Sequence, residues 1–104
     1  MEIKYLTHNN ELTAKLYGKF DEYTAEYVRI SLDTLLSEMT FVDNAKLILD
    51  LSHLTFMDST GIGVLLGRYK KFAKRKIMLC ITNPPVHVDK ILKMSGIYSL
   101  MPLI

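Results

Sequence analysis

Asp58, Ser59 and Thr60 stand immediately ahead of a run in which three glycines, Gly61, Gly63 and Gly67, fall within seven residues. Ser, Thr and Asp are the side chains that cap the free N–H groups of a helix start, so Asp58 or Ser59 can serve there as a purely structural cap. A second chemistry is open to the same residues. A hydroxyl presented where a loop enters a helix is accessible to a protein kinase, and a phosphate there adds about −1.5 to −2 charges beside Asp58. The helix dipole tolerates that charge, so the fold survives while an acidic or closely fitted partner is repelled. Thr60, one residue further in, is expected to use its hydroxyl for capping. The glycines need their own reason, because each one inside a helix costs ~1 kcal/mol relative to Ala. Gly63 and Gly67 are four residues apart and share one face, opposite much of the apolar stripe. Their missing side chains admit either a neighbouring element of this chain or an outside partner.

Catalytic and nucleotide motifs do not fit the segment. A dinucleotide fingerprint requires G-x-G-x-x-G, and Gly67 comes one residue late; a P-loop requires Lys and Ser/Thr after its last glycine, where Arg68 and Tyr69 stand. A nucleophile elbow requires a glycine two residues before the serine, and Met57 occupies that place. His8, His53 and His87 are scattered singly, with no i, i+4 pair and no cysteine at ligand spacing, so no metal site is expected. No cofactor is implied either.

The elements that must position this segment follow from periodicity. Ile3, Tyr5 and Thr7, then Leu12, Ala14 and Leu16, alternate with polar residues around Asn9 and Asn10, which predicts a β-hairpin ended by Gly18. From Thr24 the period lengthens: Ala25, Val28, Leu32, Leu35, Leu36 and Met39 form one helical stripe, with Glu26, Arg29, Asp33 and Glu38 off it. Leu47, Ile48, Leu49 and Leu51 predict a buried central strand. A second helix should begin close to Ser59, with Ile62, Leu65, Leu66, Tyr69, Phe72 and Ala73 as its core stripe. Residues 77–81 form another buried strand, stopped by Asn83, Pro84 and Pro85; Pro85 suits the first turn of a third helix carrying Val88, Ile91 and Leu92 and ended by Gly96. Residues 100–103 suggest a last short strand. Strands alternating with helices predict an α/β fold, a mixed but mostly parallel sheet with an N-terminal hairpin and helices packed on it.

Length and charge bound the rest. The 104 residues make one domain, and 49% hydrophobic with 23% charged residues is a globular composition. The single cysteine, Cys80, excludes a disulfide framework, and a reducing, cytoplasmic setting is expected. The nearly uncharged residues 56–67 are too few to span a membrane. Net charge is only +2, yet residues 1–58 carry five basic and ten acidic groups while residues 59–104 carry eight and one. Six of the cations, Arg68, Lys70, Lys71, Lys74, Arg75 and Lys76, are read as a solvated helix end favoured by the macrodipole, in preference to a nucleic-acid surface.

Residues 56–70, Phe-Met-Asp-Ser-Thr-Gly-Ile-Gly-Val-Leu-Leu-Gly-Arg-Tyr-Lys, closely resemble the signature segment of the STAS-domain anti-sigma factor antagonists, above all the sporulation branch that antagonises anti-sigma F factors. Gly18, Lys19, Phe20 and Asp21 before Thr24, Ala25 and Glu26 resemble the stretch that opens that family's first helix. Met94, Ser95, Gly96 and Ile97 resemble another of its segments. The resemblance implies a single STAS domain over residues 1–104, lacking the family's terminal helix and the glycines that usually follow its second helix, where Lys74, Arg75 and Lys76 stand. It also implies a partner switch without enzymatic activity. Unphosphorylated, the protein binds an anti-sigma factor that is also a serine kinase and so releases a sigma factor; phosphorylation of Ser59 ends binding and a phosphatase restores it. Asp21, Asp58, Thr60, Gly61, Ile62 and Gly63 would form the docking surface. The alternative is a STAS-like module holding a nucleotide or other small ligand at the helix N-terminus.

Overall fold

The computed structural model describes residues 1–9, 11–38 and 45–104. β1 (Glu2–His8) and β2 (Glu11–Phe20) form the expected antiparallel hairpin, in register from Glu2 against Tyr17 to His8 against Glu11. Asn9 takes a φ of 55°, a left-handed conformation that Asn tolerates in turns; Asn10 lies outside the described residues. Alternation puts Leu12, Ala14 and Leu16 of β2 inward, all buried. Gly18 does not end this strand. The chain passes through it at a φ of 104° with an irregularity in pairing, and β2 runs on to the fully buried Phe20.

α1 (Ala25–Glu38) buries Ala25, Val28, Leu32, Leu35 and Leu36 as its spacing requires, while Met39 lies outside the described residues. β3 (Lys46–Met57) is much longer than the apolar run that announced it. Two register shifts against β2 bend it, so Leu51, Leu54 and Met57 turn inward at intervals of three. α2 (Ser59–Lys74) follows after a single residue, then β4 (Met78–Thr82) and α3 (Val86–Ser95). Pro85 is the residue before α3, at φ −60° and ψ 159°, so it sits one place outside the first turn. Gly96 closes that helix in the left-handed conformation, with φ 76°, where a side chain would be strained. A 3₁₀ turn (Ile97–Ser99) follows, and in place of the strand expected over residues 100–103 there is one parallel bridge between Ile81 and Leu103.

The sheet order is β1-β2-β3-β4, with β2, β3 and β4 mutually parallel and β1 antiparallel at the edge. Leu12, Ala14, Leu16, Leu47, Leu49, Leu79 and Ile81 form one face of it and join Val28, Leu32, Leu65, Phe72, Val88 and Leu92 of the helices in a single core. Each Val, Leu, Ile or Phe among them contributes ~1.5–3 kcal/mol of transfer free energy. α2 is held by Ile62, Leu65, Arg68 and Phe72; Leu66 and Tyr69 are only partly buried, and Ala73 is exposed despite its place on the stripe.

Candidate functional site

β2 and β3 run parallel and end together, Phe20 opposite Met57. The loop from Asp21 and the turn at Asp58 therefore leave the sheet side by side, at the carboxyl ends of parallel strands where α/β folds usually place their sites. The Asp21 loop is built from its own hydrogen bonds. Asp21 Oδ1 accepts from the backbone N–H of Tyr23 at 2.9 Å and of Thr24 at 3.2 Å. Thr24 Oγ1 donates to the Lys19 carbonyl at 2.8 Å and accepts from the Asp21 N–H at 3.1 Å. Asp21 Oδ1 thus holds the loop in shape, on a half-buried side chain.

Asp58, not Ser59, caps α2. In an extended conformation its Oδ1 accepts from the Thr60 N–H at 2.9 Å, and its carbonyl accepts from the N–H of Gly61 at 3.1 Å and of Ile62 at 3.4 Å. The helix therefore starts without any hydroxyl cap, and Thr60 takes part through its backbone, contrary to the expectation for its side chain. Ser59 occupies the first helical position, exposed. These bonds also occupy the N–H groups of Thr60, Gly61 and Ile62, and they place a carboxylate beside the helix start. Both features disfavour an anionic ligand at this helix start.

The three glycines separate into two kinds. A Cβ on Gly61 would lie 3.1 Å from Met57 Cγ and 3.3 Å from Phe20 Cγ, so the helix start rests directly on the two strand ends. A Cβ on Gly63 or Gly67 would meet nothing within 4 Å. Packing against the sheet therefore explains Gly61 and leaves the other two unexplained. Ser59, Gly63 and Gly67, at successive intervals of four, line one outward lane of α2. Of the residues that the resemblance assigns to docking, Gly63 is exposed, as is the phosphorylation site it implies, Ser59, and Asp21, Asp58 and Thr60 are half-buried. Gly61 and Ile62 are buried, beneath that surface.

The basic run at the end of α2 is not a uniform surface. Arg68 is 7% exposed, its Nε 3.0 Å from Asp33 Oδ1 of α1. That pair is not aligned as a hydrogen bond, and Arg68 Nη1 has no hydrogen-bond partner among the described residues. Lys71 Nζ reaches the other Asp33 oxygen at 3.1 Å, and Arg75 donates to the Leu36 carbonyl. Half of the six cations thus join α1 to α2, and Lys70, Lys74 and Lys76 stay on the exposed end. Asp33, set aside by periodicity as a polar-face residue, is the acid that this junction needs. The histidines lie apart: His53 stacks on Tyr17 with ring centroids 4.4 Å apart, His87 Nε2 is 3.1 Å from the Thr55 carbonyl, and His8 is exposed in β1.

A second polar cluster fastens the C-terminal segment. Tyr98 donates to Asp89 Oδ1 at 2.7 Å and Lys93 bridges the other oxygen at 2.9 Å. The Tyr98 hydrogen bond and that of Lys93 hold the Asp89 carboxyl below its ordinary range. Burial, followed by the bond to Asp89, pushes the Tyr98 phenol well up.

Comparison with known proteins agrees with this architecture. The STAS domain model matches residues 2–104. An anti-sigma F factor antagonist of Paenibacillus polymyxa is 35% identical over 99% of this chain and 86% of its own length. Two solved structures share the fold: the anti-sigma factor antagonist SpoIIAA in its unphosphorylated form, at a TM-score of 0.80 and 23% identity over 99% of this chain and 88% of that one, and the Bacillus SpoIIAA in the phosphorylated form, at 0.71 and 22% over 99% and 91%. With the strand order, the signature at the start of α2 and a match over nearly every residue in hand, the chain belongs to the STAS domain family.

Proposed function

We propose that this protein is an anti-sigma factor antagonist, a partner-switching regulator without catalytic activity of its own. The observation that carries the reading is the exposed Ser59 at the head of a lane cleared by Gly63, on a helix start that needs no hydroxyl for its cap. Its relatives support it: one at 35% identity is an anti-sigma F factor antagonist, and SpoIIAA has been solved both with and without its phosphate. In this reading the unphosphorylated lane docks on an anti-sigma factor, which surrenders its sigma factor. The anti-sigma factor acts as the serine kinase and transfers the γ-phosphoryl group of ATP to Ser59 Oγ. The new charge of about −1.5 to −2, bulky and beside Asp58, then drives the partners apart. A phosphatase hydrolyses the ester and resets the switch. No described helix is long and apolar enough to cross a membrane, in keeping with a cytoplasmic regulator.

Intact mass after incubation with ATP and the anti-sigma factor, followed by peptide mapping, tests the assignment. One phosphate on Ser59 is expected, and Ser59→Ala accepts none. In binding assays Ser59→Ala should hold the anti-sigma factor even in the presence of ATP, whereas Ser59→Asp should bind at least tenfold more weakly with an unchanged melting temperature. Equal binding by the two variants would refute the switch.

A further inference from the structure

The turn that carries Ser59 is made of poor helix formers. Gly61 and Gly63 each weaken a helix ~4- to 5-fold relative to alanine, and Thr60 and Ile62 are β-branched. No acidic side chain stands in the first turn of α2 to meet the helix dipole. Gly61 also holds the place of the glutamate or glutamine that would close a capping box. Yet the turn forms, and two supports account for it. From below, Gly61 rests on the buried strand ends, so close that a Cβ would stand 3.1 Å from Met57 Cγ and 3.3 Å from Phe20 Cγ. At the head, Asp58 takes up the N–H of Thr60 through its side chain and those of Gly61 and Ile62 through its carbonyl. The bond from Thr60 N–H to Asp58 Oδ1, 2.9 Å long, closes a ring that contains the backbone of Ser59.

We infer that Asp58 is a positioning residue for phosphoryl transfer, holding Ser59 in the first helical turn so that the kinase receives its hydroxyl in a fixed place. This rests on the phosphorylation of Ser59 proposed above, and it gives Asp58 a role other than contact with the partner.

In the transfer, a bond forms between Ser59 Oγ and the γ-phosphorus of ATP while the bond from that phosphorus to the β–γ bridging oxygen breaks. ADP leaves, and the hydroxyl proton passes to a base of the kinase. Asp58 neither gives nor takes an atom; it fixes where Oγ stands. Both sides of that effect are large enough to measure. Loss of a capping side chain weakens a helix start ~2- to 30-fold, and a misplacement of ~1 Å can slow a reaction ~100-fold.

Single-turnover phosphorylation of the whole chain by the anti-sigma factor tests the role, at saturating chain and ATP and at a temperature where circular dichroism shows every variant folded. Asp58→Ala should lower the rate at saturation ~5-fold or more. Its affinity for the anti-sigma factor without ATP should fall less than that rate does, because Gly63 and Gly67 lie beyond the turn that the cap holds. Asp58→Asn and Asp58→Ser keep a capping side chain without the charge, and both should recover most of the rate. A cap that served stability alone would shift the melting temperature of Asp58→Ala and leave the rate at saturation as it was. With wild-type Ser59 phosphorylated, three results overturn the inference: Asp58→Ala reacting as fast as wild type, Asn and Ser variants as slow as Ala, or a loss confined to affinity. A wild-type chain that accepts no phosphate on Ser59 instead overturns the underlying reading, and this inference with it.

Discussion

Replacing each glycine of α2 with alanine should give opposite results within one helix. At Gly63 the new methyl group enters open space, so the change removes only the backbone-entropy penalty and should stabilise the fold by ~1 kcal/mol. For a domain of this size, that corresponds to a rise in melting temperature of ~4–8 °C. Gly67→Ala should act alike. At Gly61 the same helix gain is opposed by contacts of 3.1 Å to Met57 Cγ and 3.3 Å to Phe20 Cγ. The Phe20 ring is fully buried and cannot swing aside, so overpacking of ~1–3 kcal/mol applies and the net effect ranges from neutral to ~2 kcal/mol destabilising. Urea titrations of the three single variants, with unchanged m-values, read the order directly. Destabilisation by Gly63→Ala comparable to that by Gly61→Ala would refute the claim that the lane is open. Gly63→Leu should fold as well as the wild type and lose affinity for the anti-sigma factor, because a side chain there blocks close approach.

Asp33→Ala should lower the unfolding free energy from urea titration by ~1–3 kcal/mol, since it leaves the buried Arg68 guanidinium without its acid; Asp33→Leu combined with Arg68→Met should recover much of the loss. Tyr98→Phe should lower the melting temperature at neutral pH by releasing the C-terminal segment from α3. Its pH dependence follows from Asp89, whose carboxyl is held low in the fold by Tyr98 and Lys93. A depressed acid contributes stability above the ordinary carboxylate range of about 4 and loses it as pH falls through the folded value. The raised Tyr98 phenol contributes below about 10 and loses that contribution as pH rises further. The gap between wild type and Tyr98→Phe in thermal melts should therefore be widest between those limits and close in acid.

Local patterns were enough for the elements and for the segment that matters. Alternation in β2, the 3.6 period of α1 and α2, and the order of elements lead to the mixed sheet with its hairpin. The cluster at Asp58, Ser59 and Thr60 stands out by residue type alone, because capping residues before a glycine-rich helix are a local signal. What local pattern could not carry was everything that depends on one element meeting another. The second half of β3 escaped because two register shifts set its inward residues three apart, a spacing of neither strand nor helix. Asp33 and Arg68 read as ordinary surface charges until α1 packs on α2 and closes the distance between them. Gly61, Gly63 and Gly67 are chemically identical along the chain, and only the orientation of α2 above Phe20 and Met57 makes the first a packing requirement and the other two an open face. Residue types along the chain are enough to gather a hydroxyl, an aspartate and missing side chains at a helix start; that the aspartate caps, the serine is exposed and the lane beyond it is bare follows from which atoms the sheet brings within contact.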